Sequence, residues 1–226
     1  MTAAPPGPPP IIPASAFAGL TIAGIALSTN TPRPDVSDAA VLAYLGEHAA
    51  QARLAAFLTV AAAAPLAIWT TTVYQRMRAL GSTAPGSTIA LIGGALASAM
   101  AVLCGFVGWA GARLGDDPGA ASVAGLQRDL AFATGGPGFV MFFGLLIAGV
   151  SVPMLLLGIR RPLAIFGLVI ALAAELSTVV LLTLDAAPTL PIARFGGLVW
   201  LILVSLLLPA RRPARPERAS TMAGVA

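Results

Sequence analysis

The chain has 226 residues, of which 58% are hydrophobic and only 10% charged, and its mean hydropathy is +0.90. A soluble domain of this length would carry roughly a quarter charged residues, so the composition points to a lipid solvent. All 13 basic residues are arginine, which excludes a lysine Schiff base and a Walker A loop.

The first thirteen residues hold six prolines and no charge. Residues 1–10 are therefore expected to be disordered or extended. They lack the basic start of a signal peptide, so the apolar run at 11–29 reads as a retained first span. Further apolar runs follow at 54–75, 87–112, 138–159, 163–184 and 191–208. Each is near or above the ~18–20 residues that a helix needs to cross a bilayer core. The expected fold is all-α: a polytopic bundle over 11–208 with six transmembrane helices, followed by a basic cytoplasmic tail at 209–226.

The first loop carries an N-cap signal, Ser37-Asp38, before Val41, Leu42, Tyr44, Leu45 and Ala49. That spacing predicts a short amphipathic helix lying on the outer surface. Beyond Gly115-Asp116-Asp117-Pro118-Gly119, a second outer helix is expected from Ala120. It should break or bend sharply at Gly135-Gly136-Pro137-Gly138 and join the fourth span there. Broken helices sometimes bind anions or substrates, but 138–159 is long enough to span without the break.

The arginines sort by loop. Arg76, Arg78, Arg160, Arg161, Arg211, Arg212, Arg215 and Arg218 fall on one side, and Arg33, Arg53, Arg113, Arg128 and Arg194 on the other. Positive charge is enriched in cytoplasmic loops, so both termini are expected in the cytoplasm. Basic residues at membrane exits suit anionic lipid headgroups, and no nucleic-acid site is expected.

Each descending helix begins near an arginine: Arg53, Arg128 and Arg194. This pattern fits either three duplicated hairpins or independent snorkelling arginines. Gly93, Ala97, Ala101 and Gly105 form a stripe of small residues at four-residue spacing, which predicts that the third span is central. Pro65 should kink the second span. Trp69, Tyr74 and Trp109 read as interfacial anchors, and Trp200 as packing.

Glu175 is the sole ionisable residue expected deep in the membrane. It lies ten residues from Asp185, about 15 Å along a helix. A buried acid there should face protein or a water-filled cavity. It continues the Gly167–Ala171 stripe, and its expected partner is Arg194, with Arg53, Arg128 and Thr178 as alternatives. The pair reads either as a structural clasp or as an ion or substrate site.

Catalytic constellations are missing. A single histidine, His48, and a single cysteine, Cys104, cannot build the usual zinc site or a bis-histidine haem site within one chain. His48 is expected at a solvated surface and Cys104 as a small buried hydrophobe. A membrane serine–histidine dyad lacks its histidine, and a two-aspartate protease lacks its second acid. No cofactor is expected.

The stretches Ser37–His48, Ala174-Glu-Leu-Ser-Thr178 and Pro191-Ile-Ala-Arg-Phe-Gly-Gly197 resemble uncharacterised integral membrane proteins of GC-rich bacteria, a domain-of-unknown-function family with about six helices. The resemblance covers roughly 11–208 and implies a multi-pass protein of the bacterial plasma membrane, without implying an activity. Three functions compete. The first is a non-enzymatic structural or regulatory protein acting through a membrane partner or a second copy of itself. The second is a small proton-coupled carrier using Glu175. The third is an outer-leaflet lipid-modifying enzyme using Glu47, His48 or the outer aspartates.

Overall fold

The computed structural model describes residues 9–115 and 117–209. Most of the Pro-rich start, Asp116 and the basic tail from 210 onwards lie outside the described residues. Eight α-helices make up the described chain: α1 (Ile11–Leu27), α2 (Asp38–Glu47), α3 (Ala49–Ala79), α4 (Gly86–Gly111), α5 (Ala120–Ala133), α6 (Phe139–Leu156), α7 (Arg161–Leu176) and α8 (Thr189–Leu207). A π-turn, Thr134–Gly138, joins α5 to α6, and 3-10 turns at Ser177–Leu181 and Leu184–Ala186 lead from α7 to α8.

Five helical stretches are long and apolar enough to cross a membrane: Ala49–Ala79, Gly86–Gly111, Ala120–Leu156, Arg161–Leu181 and Leu184–Leu207. The expected first span is also a helix and also apolar, but it is shorter, at 17 residues.

α4 lies at the centre, as its small-residue stripe predicts. Gly93, Ala97, Ala101 and Gly105 are all buried. A methyl group on Gly93 would come within 2.6 Å of the Leu146 backbone nitrogen in α6. Backbones this close gain dispersion contacts that bulkier side chains would forbid. On its other face α4 meets α3, with Gly94 against Thr70 and Gly105 against Val60.

The path of α5 differs from expectation. It is not a helix laid flat on the surface. Gly111 meets Gln127, Cys104 meets Gly135, Met100 lies by Gly138 and Ala90 meets Gly149. Each turn up α4 is thus matched by one turn back along α5, the π-turn and α6. The GGPG segment bends this helix without ending it. Gly136 alone leaves helical geometry, at φ −84° and ψ −106°. Pro137 supplies no N–H, so the helical bond to the Ala133 carbonyl cannot form, and the chain widens into a π-turn at this point.

α2 is capped as its sequence predicts, since the Ser37 hydroxyl accepts from the Ala40 N–H at 3.4 Å. Its apolar face packs on protein: Val41 and Leu45 are buried with Ala124 of α5. α3 runs unbroken through Pro65.

At the opposite end the core is dense and aromatic. Trp69 and Trp200 meet edge to face at 6.3 Å. The Trp69 indole donates to the Ser205 hydroxyl at 2.7 Å, and that of Trp200 donates to the Leu163 carbonyl at 3.1 Å. Trp69 is fully buried, so it is a packing residue and not the interfacial anchor its position suggests. Trp109 is half exposed, with the Arg113 guanidinium 4.9 Å above its ring.

Candidate functional site: a cavity ending on Arg194

The expected Glu175–Arg194 pair does not form. Glu175 is exposed on α7, and among the described residues both ion pairs belong to Arg128. The reason is local. The buried face of α7 runs through Gly167, Ile170, Ala171 and Ala174, and then to Ser177. After Ala171 the buried face advances by three residues to Ala174, still within the α-helix, and then by three to Ser177 at the start of a 3-10 turn. A three-residue step swings Glu175 off the stripe that a four-residue step would keep it on. The Thr178 hydroxyl bonds the Glu175 backbone carbonyl at 2.7 Å, and so serves its own turn.

The three arginines that begin the descending helices have three unlike settings. Arg53 is exposed and bonds the Ala49 carbonyl of its own helix at 3.2 Å. Arg128 lies 3.4 Å from Asp38 and 2.9 Å from Asp129, and donates to the Val36 carbonyl. It thereby ties the α2 cap to α5. Arg194 points into the bundle. One terminal nitrogen donates to the Gly135 carbonyl, and its Nε is buried with no partner.

The π-turn makes the Arg194 contact available. In an α-helix the Phe139 N–H would bond the Gly135 carbonyl. Here it reaches the carbonyls of Thr134 and Gly136. The Gly135 oxygen is left to accept from Arg194. The guanidinium also lies 5.2 Å above the Phe139 ring, within cation–π range.

Arg194 borders a cavity of about 500 Å³. Its walls come from Phe17, Thr21 and Gly24 of α1, from Ala55, Ala56 and Thr59 of α3, and from Ala101, Cys104, Gly105 and Gly108 of α4. Phe132, Gly135 and Leu190 close the side towards α8, while Val41, Tyr44 and Leu45 of α2 form a roof. The cavity reaches the surface along Ser28–Arg33 and along Pro191 and Phe195 of α8, lining residues that are largely exposed. Among the described residues three cations line it, Arg33, Arg128 and Arg194, and no acid does.

The residues that matter here were partly visible in the sequence. Arg194 and the GGPG break were both candidates, but separately; their contact was not foreseen. Cys104, expected to be plain packing, lines the cavity and lies 3.5 Å from the Ala131 carbonyl. His48 stacks on Tyr44 at 4.5 Å, beside the roof, and does not join a carboxylate cluster. No group of three metal-ligating side chains occurs among the described residues.

The cavity presents a mostly apolar wall, three arginines and a thiol among the described residues. Compared with protein-family models, curated proteins and solved structures, the chain matches none.

Proposed function

We propose that this is a non-enzymatic, six-span protein of the bacterial plasma membrane that binds a small, largely apolar molecule inside its helix bundle. The observation that carries the reading is the cavity of about 500 Å³, roofed by α2 and lined by six other helices. Its size falls within the roughly 300–1,000 Å³ of small-molecule sites, and its lining is mostly apolar with few polar groups. Glu175 is not among the lining residues, so a proton-coupled carrier would need a route that bypasses this chamber. In this reading both termini are cytoplasmic, and Arg76, Arg78, Arg160 and Arg161 face anionic headgroups there. The cavity then opens near the outer leaflet.

The test is native mass spectrometry of the full chain released from its own membranes. A bound molecule of a few hundred daltons is expected. Gly24→Leu and Gly108→Leu add side chains at lining positions where a new Cβ meets nothing closer than 3.6 Å, and they should lower its occupancy. A chain that carries no adduct, and is indifferent to both substitutions, would overturn the proposal. For orientation, cysteines placed at Arg78 and Asp116 in a Cys104→Ser background should label from opposite sides.

A further inference from the structure

Resting on that reading of the cavity, we infer that its ligand is a single-chain anionic amphiphile drawn from the bilayer, with its anionic group on Arg194. Four observations converge. The Arg194 Nε is buried on a half-buried side chain, and no carboxylate among the described residues pairs with the guanidinium. A cation in a low-dielectric site is costly unless an anion or several acceptors meet it. Here one carbonyl and one aromatic face do so, leaving Nε with no acceptor.

The second observation is the composition of the chamber. Among the described residues its lining contains no acid, and the nearby carboxylates of Asp38 and Asp129 are paired with Arg128. Third, the other cation of the inner rim is already committed: Arg128 holds Asp38 and Asp129. Arg194 is therefore where an anion gains most. Fourth, the remaining wall is apolar, and exposed Pro191 and Phe195 border the opening on α8. A free inorganic anion would leave that wall unused. An acyl chain would cover it, at about 0.8 kcal/mol for each buried methylene. The chamber volume suits one chain with a compact headgroup.

The single cysteine provides the assay, since Cys104 lines the same chamber. The full chain is placed in phosphatidylcholine nanodiscs, and the rate of Cys104 modification by N-ethylmaleimide is measured. Thermal unfolding is followed in parallel. The probes are dodecanoate, dodecyl phosphate, dodecanol and inorganic phosphate. Dodecanoate or dodecyl phosphate should slow modification at least tenfold more than dodecanol and raise the unfolding temperature. The two anionic probes separate a fatty-acid-like from a phosphate headgroup.

Arg194→Gln should erase the preference for the charged chain while leaving dodecanol binding intact, and Arg194→Lys should restore part of it. Arg33→Gln, at the exposed rim, should leave the preference unchanged. Equal effects of dodecanoate and dodecanol on the wild type would overturn the anionic assignment and leave the cavity reading standing. Protection by inorganic phosphate alone would overturn the amphiphile. If no probe changes either the modification rate or the unfolding temperature, this inference and the cavity reading fall together.

Discussion

The two ends of the bundle use the same small residues to opposite effect. Between α4 and α6, Gly93 and Gly149 let backbones touch, and beyond them Trp69 and Trp200 fill the space between α3 and α8. At the other end, Ala55, Ala56, Ala101 and Gly108 line a void. A small side chain brings helices together only where a second helix arrives to use the room. Where α2 and the kinked α5–α6 hold the helices apart, the same side chains leave a chamber. A stripe of glycine and alanine is thus not in itself a statement about packing density.

Substituting across both regions would sharpen this contrast. The largest effect is expected for Gly93→Leu, because the obstacle is the backbone of α6, which cannot rotate away. It should cost about 1–3 kcal/mol or more in unfolding measurements in detergent. Gly108→Leu, on the cavity side, should cost well under half as much. Equal losses at the two sites would erase the distinction between the packed and the open end.

Next comes Trp69→Phe. It removes the indole donor to Ser205 and part of the packing against Trp200, so a loss of about 1–3 kcal/mol is expected. Arg128→Gln should have a smaller effect on global stability, about 0.5–1 kcal/mol, because Asp38 and Asp129 are half exposed. Its clearer consequence is local: α2 loses its tie to α5, and amide exchange in Asp38–Glu47 should quicken while α4 is unchanged. No quickening there would mean that Val41 and Leu45 alone hold the roof.

The smallest effect is expected for Glu175→Gln. Glu175 is exposed and no ion pair among the described residues holds its carboxylate, so the change should stay within about 0.5 kcal/mol. A loss above that would mean that a partner for Glu175 forms in the membrane.

Hydropathy and spacing alone determined that this chain is a helical protein with membrane-length segments. Apolar runs of this length admit few other solutions, because every backbone N–H and C=O must be satisfied within the segment. The same holds for the central place of α4 and for the Ser37 cap, which depend on residues close in sequence. What the tertiary structure decided is which polar groups meet. Glu175 is off the buried stripe because neighbouring helices cover Ala171, Ala174 and Ser177, and the residue after Ala174 points about 100° away around α7, a choice between two helical rows that the sequence spacing leaves open. Arg194 finds the Gly135 carbonyl because a π-turn in another helix, 59 residues away in the chain, leaves that oxygen for it. Helix formation is governed by local bonds, whereas the chamber and its cation arise from how far apart neighbouring helices are held.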